Sequence, residues 1–159
     1  MNTKKASTQT ISYSYRDIEN ICLNLSKSIR VSGFKPDILL GISIGGLVPT
    51  VFLSRLFGVK DILTIAVSSY TNKEQKKLKL LNAPDMKYLK GKSILIVDDI
   101  CDSGNTIMFV KDFLKSKKTG QVKSATLFLN KKHHKLTPDY YIRVVNKWVV
   151  FPWDKFEKE

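Results

Sequence analysis

Four aliphatic residues in a row, Ile94-Leu95-Ile96-Val97, are followed at once by two acids and then by a glycine turn that opens a helix. So short a continuous apolar run offers no polar face to water. It reads as a strand covered on both sides, the setting of a parallel sheet between helices. The rest of the chain alternates in the same sense. Ile18, Ile21, Cys22, Leu25 and Ile29 recur at helical spacing from Tyr15 onward, with Ser14 where an N-cap belongs and Gly33 beyond the end. Pro36 introduces the apolar run 38–42, and Gly45-Gly46 lead into a second helix carrying Leu47, Val51, Phe52, Leu53 and Leu56 to a stop at Gly58. Strands are predicted over 62–68, 93–97, 122–129 and 140–145, and a helix over 104–117 with Ile107, Val110, Phe113 and Leu114 inward. The expected architecture is α/β: a mostly parallel sheet with helices on both faces.

At 159 residues the chain is the size of one domain, and no apolar run reaches the roughly 18 residues of a membrane span. Residues 1–12, polar and without an apolar centre, read as a frayed N-terminal tail, leaving 13–159 as a single domain. Residues 69–91 are polar and basic, interrupted by Pro84 and without steady periodicity. A connection of that length inside a compact domain is usually functional, and it reads as a lid. Residues 130–159, with a basic loop, one strand and an aromatic tail, read as a small C-terminal hood.

The formal charge of +13 favours anionic partners, whether nucleic acid, a membrane surface or a phosphorylated small molecule; a merely solvated lysine surface gives the same count. The lysines are scattered, and aromatics do not interleave with them as in a single-strand binding groove. Cys22 and Cys101 fall in unrelated contexts without metal-ligand spacing, which points to two free thiols in a reducing cytoplasm. His133-His134 read as solvent-facing loop residues, since no acid or third ligand stands at metal spacing.

Ligands of such sheets bind beyond the carboxyl ends of the strands. Asp98-Asp99 stand at one such end, where two adjacent carboxylates are costly unless a cation or sugar hydroxyls share the load. Asp102-Ser103-Gly104-Asn105-Thr106 then form a turn into a helix, where hydroxyls, free amides and the positive end of the helix dipole suit a phosphate. Acids that grip hydroxyls, placed just before amides that grip phosphate, match a sugar phosphate. Gly41, Gly45 and Gly46, three glycines in six residues between strand and helix, favour close ligand approach at a second loop.

The segment ILIVDDICDSGNT (94–106) resembles the phosphoribosyl-pyrophosphate signature of the type I phosphoribosyltransferases. GISIGGLVP (41–49) looks like that family's pyrophosphate-binding loop, SSY (68–70) like the start of its lid, and KWVVFPWD (147–154) like the purine-contacting tail of its 6-oxopurine members. The resemblance implies an enzyme that transfers phosphoribose from phosphoribosyl pyrophosphate to xanthine, guanine or hypoxanthine, with Mg²⁺ as cofactor. Asp98 and Asp99 would hold the ribose hydroxyls directly or through the metal, and Asp102 would lie near N7 of the base as a general acid–base candidate. Asp102, Ser103, Gly104, Asn105 and Thr106 would bind the 5-phosphate, and Ser43, Ile44, Gly45, Gly46 and Lys79 the pyrophosphate. Ser69 and Tyr70 would belong to the lid. Trp148 would stack on the purine, Val149 would offer backbone groups to it, and Asp154 would reach the metal or the base edge.

Trp153 reads instead as a core aromatic. Ile44 departs from the Arg or Lys usual at its position, giving up one side-chain contact to pyrophosphate. The family's lysine for the purine ring oxygen falls on Asn130 by direct counting and on Lys131 with a shift of one residue; Lys131 is preferred. The resemblance also implies a homodimer or homotetramer, with no nucleic acid or membrane as partner. Two other readings stay open: a regulatory relative that keeps the fold and binds RNA, and a transferase for a different base.

Overall fold

A computed structural model describes residues 9–72, 75–130, 132 and 135–156. Its elements run β1 (Thr10–Ser12), α1 (Tyr15–Val31), β2 (Ile38–Ser43), α2 (Leu47–Phe57), β3 (Ile62–Asn72), β4 (Gln75–Asn82), β5 (Ile94–Cys101), α3 (Asn105–Lys115), β6 (Val122–Asn130), β7 (Tyr140–Val145) and β8 (Trp148–Val150), with short 3-10 turns at Met86–Tyr88 and Asp154–Phe156. The central sheet has the order β4-β3-β2-β5-β6-β7. All its neighbours are parallel except the β3–β4 pair. The α/β reading therefore holds.

Local chemistry sets the helix ends. Ser14 caps α1 through a reciprocal box with Asp17: the Asp17 N–H donates to the Ser14 hydroxyl, and the Ser14 N–H donates to the Asp17 carboxylate. Gly58 closes α2 in the left-handed conformation at φ 72°. The apolar stripe of α1 and Leu53 of α2 cover one face of the sheet with Leu39, Leu95 and Val97. Ile107, Val110 and Leu114 of α3 cover the other with Ile38, Leu40, Ile94 and Ile96. The alternation along β2 and β5 thus feeds two cores. Cys22 and Cys101 are both free and buried.

Three expectations need correction. The tail does not run to residue 12, because Thr10–Ser12 pairs in parallel with Trp148–Val150, tying the start of the chain to its aromatic end. The stretch from residue 69 is not irregular throughout. Ser69 and Tyr70 lie inside β3, opposite Leu78 and Lys77 of β4, and the hairpin runs to Asn82 because Leu78 and Leu80 alternate with lysines at the period of a strand. Finally, β5 does not stop at Val97. It continues through Asp98 and Asp99 to Cys101, held by β6, since ladder pairing outweighs the poor strand preference of aspartate.

Candidate active site

The sheet order reverses between β2 and β5: from β2 the chain builds outward to β3, and from β5 outward to β6 and β7. Such a point leaves a crevice at the carboxyl ends, because the loops that follow the two central strands depart in opposite directions. Pairing between β2 and β5 ends at Gly41–Val97, whereas β5 keeps its β6 partner as far as Cys101. Four residues, 98–101, therefore project beyond β2 with one edge unpaired by it. Asp98 and Asp99 are the first two of them.

Their surroundings raise the cost of charge. Burial, with the neighbouring Asp99 carboxylate adding to it, pushes the Asp98 carboxyl well above the usual range, against the pull of the Asp99 N–H that donates to Asp98 Oδ1 at 3.0 Å. Asp99 is pushed up to about 6, chiefly by burial and further by the Asp154 charge; the Ile100 N–H, donating to Asp99 Oδ1 at 2.6 Å, opposes the rise. Three carboxylates thus share one neighbourhood. Asp154 starts a 3-10 turn and accepts the Phe151 N–H at 2.7 Å.

The glycine loop lies directly against this pair. A Cβ at Gly45 would stand 2.1 Å from Asp99 Oδ2, and one at Gly46 would stand 2.3 Å from the Val97 carbonyl oxygen. Only glycine allows this approach of loop to strand. Ser43 ends β2 with its hydroxyl toward the Ile65 carbonyl, the Ser43–Ile44 peptide is cis, and the Ile44 side chain is 78% exposed at the mouth of the crevice.

On the α3 side, Gly104 takes φ 79° as the N-cap of α3, and a Cβ there would meet Leu136 at 2.9 Å. The Lys135 N–H donates to the Ser103 carbonyl, and the Cys101 thiol to the Leu136 carbonyl, so residues 135–136 clasp the turn from outside. The Asn105 N–H donates to the Ser103 hydroxyl at 3.3 Å. A cavity of about 90 Å³ opens between Asp98, Asp102, Ser103, Gly104 and Thr106. Asp98 therefore faces the turn, and Asp99 faces the glycine loop. Burial, helped by the Asp98 and Asp102 charges, pushes the Cys101 thiol up to about 11, which leaves it unreactive at neutral pH.

The other sequence-predicted residues lie around the same edge. Ser68 pairs with Lys79, two residues past the Ser43–Ala66 pairing, so exposed Lys79 sits on the hairpin beyond the end of β2. Asn130 ends β6, and its amide donates to Asp102 Oδ1 at 2.8 Å. Trp148 begins β8, 66% exposed, and Val149 beside it is buried. Trp153 stacks on Phe151 at 4.7 Å and 9°, against the α1/α2 core. Lys131 and His133-His134 lie outside the described residues. Sequence reading missed the Asp102–Asn130 contact and the clasp by 135–136. Each joins segments about thirty residues apart, and no local pattern announces them.

Among the described residues no cluster of three or more His, Cys, Asp or Glu is arranged to hold a metal by itself. The donor set of Asp98 and Asp99 nevertheless fits a magnesium-like ion. Such ions take one or two carboxylates and fill the remaining positions with water and substrate phosphate, and two like charges on a strand end gain most from a shared cation. Among the described residues no helix is long and apolar enough to cross a membrane.

Comparison with known proteins agrees with this geometry. The phosphoribosyl transferase domain family matches residues 12–157. A xanthine-guanine phosphoribosyltransferase of Cereibacter sphaeroides is 34% identical over 133 residues, 79% of this chain and 76% of that protein. The crystal structure of a purine phosphoribosyltransferase from Pyrococcus horikoshii superposes with a TM-score of 0.81 at 32% identity, over 94% of this chain and 99% of its own. A Helicobacter pylori xanthine-guanine-hypoxanthine phosphoribosyltransferase gives 0.82 at 31% identity, over 91% and 94%. With nearly the whole chain matched and the crevice built by the segments that carry the resemblance, this protein belongs to the phosphoribosyltransferase family.

Proposed function

We propose that the protein transfers the 5-phosphoribosyl group of phosphoribosyl pyrophosphate to a 6-oxopurine (xanthine, guanine or hypoxanthine), releasing pyrophosphate, in purine salvage. The observation that carries this reading is the juxtaposition at the switch point: a carboxylate pair on the projecting end of β5, with the opening turn of α3 on one side and a glycine loop on the other. The purine transferases among its relatives support the acceptor class. They do not favour an RNA-binding regulator or a different base.

In this reading the amides and hydroxyls of residues 102–106 receive the 5-phosphate at the start of α3, where the helix dipole favours a dianion. Asp98 and Asp99 accept hydrogen bonds from the ribose hydroxyls and would hold Mg²⁺, with Asp154 beside Asp99. The metal, when bound, supplies charge neutralisation to the pyrophosphate. Backbone groups of Ser43, Ile44, Gly45 and Gly46, joined by Lys79, hold the leaving pyrophosphate by hydrogen bonds aimed where negative charge grows. Ile44 contributes backbone only. A ring nitrogen of the purine attacks the anomeric carbon from the opposite face as the bond to pyrophosphate breaks, and Asp102 would take up the proton at N7. Trp148 stacks on the base, Val149 offers backbone groups, and Asn130 or Lys131 meets the edge that carries the ring oxygen. Closure of the hairpin that includes Ser69 and Tyr70 would exclude water that otherwise hydrolyses the activated sugar. A homodimer or homotetramer in the cytoplasm completes the proposal; the two buried free thiols support a reducing compartment.

The test is direct. The protein is mixed with Mg²⁺, phosphoribosyl pyrophosphate and, in turn, xanthine, guanine, hypoxanthine, adenine or uracil, and pyrophosphate release is followed. Turnover is expected with at least one of the first three. Silence with all three refutes the proposal.

A further inference from the structure

The register between β5 and β6 pairs Cys101 with Leu129, so the next residue on each strand, Asp102 and Asn130, must emerge side by side at the edge of the crevice. They meet through a hydrogen bond of 2.8 Å from Asn130 Nδ2 to Asp102 Oδ1. The orientation of the amide is fixed by its other end. The Lys132 backbone N–H, which can only donate, lies 3.0 Å from Asn130 Oδ1, so the oxygen faces Lys132 and the NH2 faces the carboxylate. Asn130 thus closes a local Asx turn, and its amide is locked before any ligand arrives.

From this geometry we infer that Asn130 is a positioning residue: it acts through Asp102, aiming that carboxylate at the base. The inference rests on the proposed transferase reading and deepens it. With Oδ1 held, rotation of the carboxylate is restrained, and Oδ2 is presented in one direction. A neutral amide achieves this without bringing a cation against Asp102, and a short amide with two bonded ends wanders less than a lysine on four methylenes. The bond lies at an exposed position, where a hydrogen bond adds little to stability. Its effect is therefore on orientation, and a residue that orients a reacting group changes turnover more than binding.

A double-mutant cycle on the full chain tests this. Asp102→Ala, Asn130→Leu and the double variant are compared with the unmodified protein for kcat and for both KM values, using whichever 6-oxopurine that protein turns over. Asn130→Asp, with the same volume and an oxygen still facing Lys132, serves as a second variant should Leu impair folding. Loss of a hydrogen bond to a charged group predicts a fall in kcat of about tenfold or more, with both KM values within about twofold. The double variant is expected to be no slower than Asp102→Ala alone, because Asn130 has nothing left to aim. Rate losses that multiply, an unchanged kcat in Asn130→Leu, or a loss confined to KM for the base would each overturn the inference; the last would make Asn130 a direct reader of the purine. Silence of the unmodified protein with every 6-oxopurine is a different failure. It refutes the transferase reading itself, and the positioning role falls with it.

Discussion

Replacing Gly45 by alanine is the sharpest probe of the crevice, because the new methyl would fall on a named carboxylate. Its Cβ would stand 2.1 Å from Asp99 Oδ2, 2.4 Å from Cγ and 2.7 Å from Oδ1, so the whole carboxyl group must retreat by more than about 1 Å to reach ordinary contact. The loop cannot lift instead. Gly46 is pressed backbone to backbone on β5, with its own Cβ position 2.3 Å from the Val97 oxygen. Asp99 must therefore swing away and release the Ile100 N–H that it holds at 2.6 Å. Overpacking costs about 1–3 kcal/mol, and a lost hydrogen bond to a carboxylate about 1.5–3 kcal/mol. Relief from burying that carboxylate offsets part of this, which leaves a net destabilisation of about 2 kcal/mol. Urea unfolding of metal-free protein at pH 7 measures it. In an Asp99→Ala background the overlap is gone, and the same substitution is expected to cost under about 0.5 kcal/mol, a coupling well above the usual additivity error. Titration calorimetry should also show weaker binding of phosphoribosyl pyrophosphate to Gly45→Ala, by about tenfold or more. Equal costs in the two backgrounds would refute the argument, since the loop and Asp99 would then not be in contact.

Three further outcomes follow from the same contacts. Asp99 has its folded value raised from 3.8 to about 6, so the folded protein binds that proton more tightly than the unfolded chain. Its contribution is full at low pH and is lost as pH rises from about 4 through about 6, on the order of 3 kcal/mol. Unfolding of metal-free protein between pH 4 and pH 8 should show a loss to which Asp98, raised by the same burial, also contributes, and Asp99→Asn should make that loss smaller; an unchanged profile refutes the assignment. Asp139 behaves in the opposite sense. Burial would raise its carboxyl, but hydrogen bonds from Lys111, Lys123 and Ser124 outweigh burial and hold it well below the usual range. Asp139→Asn should therefore cost about 2 kcal/mol at pH 7 in urea unfolding, with the difference fading as the medium is acidified below about pH 4. Trp148→Ala, and removal of residues 1–12 that strips β8 of its β1 partner, should both raise KM for the purine several-fold and leave that for phosphoribosyl pyrophosphate unchanged; equal changes in both constants would count against a base-stacking role.

How much of this could be read in advance depends on the range of the forces involved. Ser14 with Asp17, Gly58 after α2 and the Ile94–Val97 run are local signals, each complete within a few residues, and each produced the expected element. The β1–β8 ribbon is three residues on each side and joins Thr10 to Trp148; nothing in TIS marks it as a strand until the aromatic tail arrives. The β4 strand does carry an alternating pattern at Lys77-Leu78-Lys79-Leu80, but its high lysine content made it resemble solvated connection. The candidate site divides in the same way. Its acids and glycines stand in one-dimensional motifs, whereas the partner of Asp102 is fixed by the register of two strands and had no local mark.

That register also explains why the acids belong to a strand and not to a loop. A loop would let Asp98 and Asp99 turn outward and hydrate, returning their carboxyls to the ordinary range. Carried on β5 past the end of β2, they are held on a backbone that β6 will not release, their carboxyls in contact with each other, Asp98 also lining the cavity before α3 and Asp99 lying against Gly45. The energetic cost of holding them there in the metal-free protein is the same quantity that a cation or sugar hydroxyls recover on binding. Stability set aside at a strand end thus becomes affinity for a ligand that offers hydroxyls, phosphate and a metal together, and a neutral sugar without phosphate recovers only part of it. Binding of ribose 5-phosphate with Mg²⁺ should accordingly raise the melting temperature, and raise it more at pH 8 than at pH 5, where the carboxyls are already relieved by protons. A stabilisation that is larger at pH 5 would mean that the ligand does not draw on this carboxylate pair.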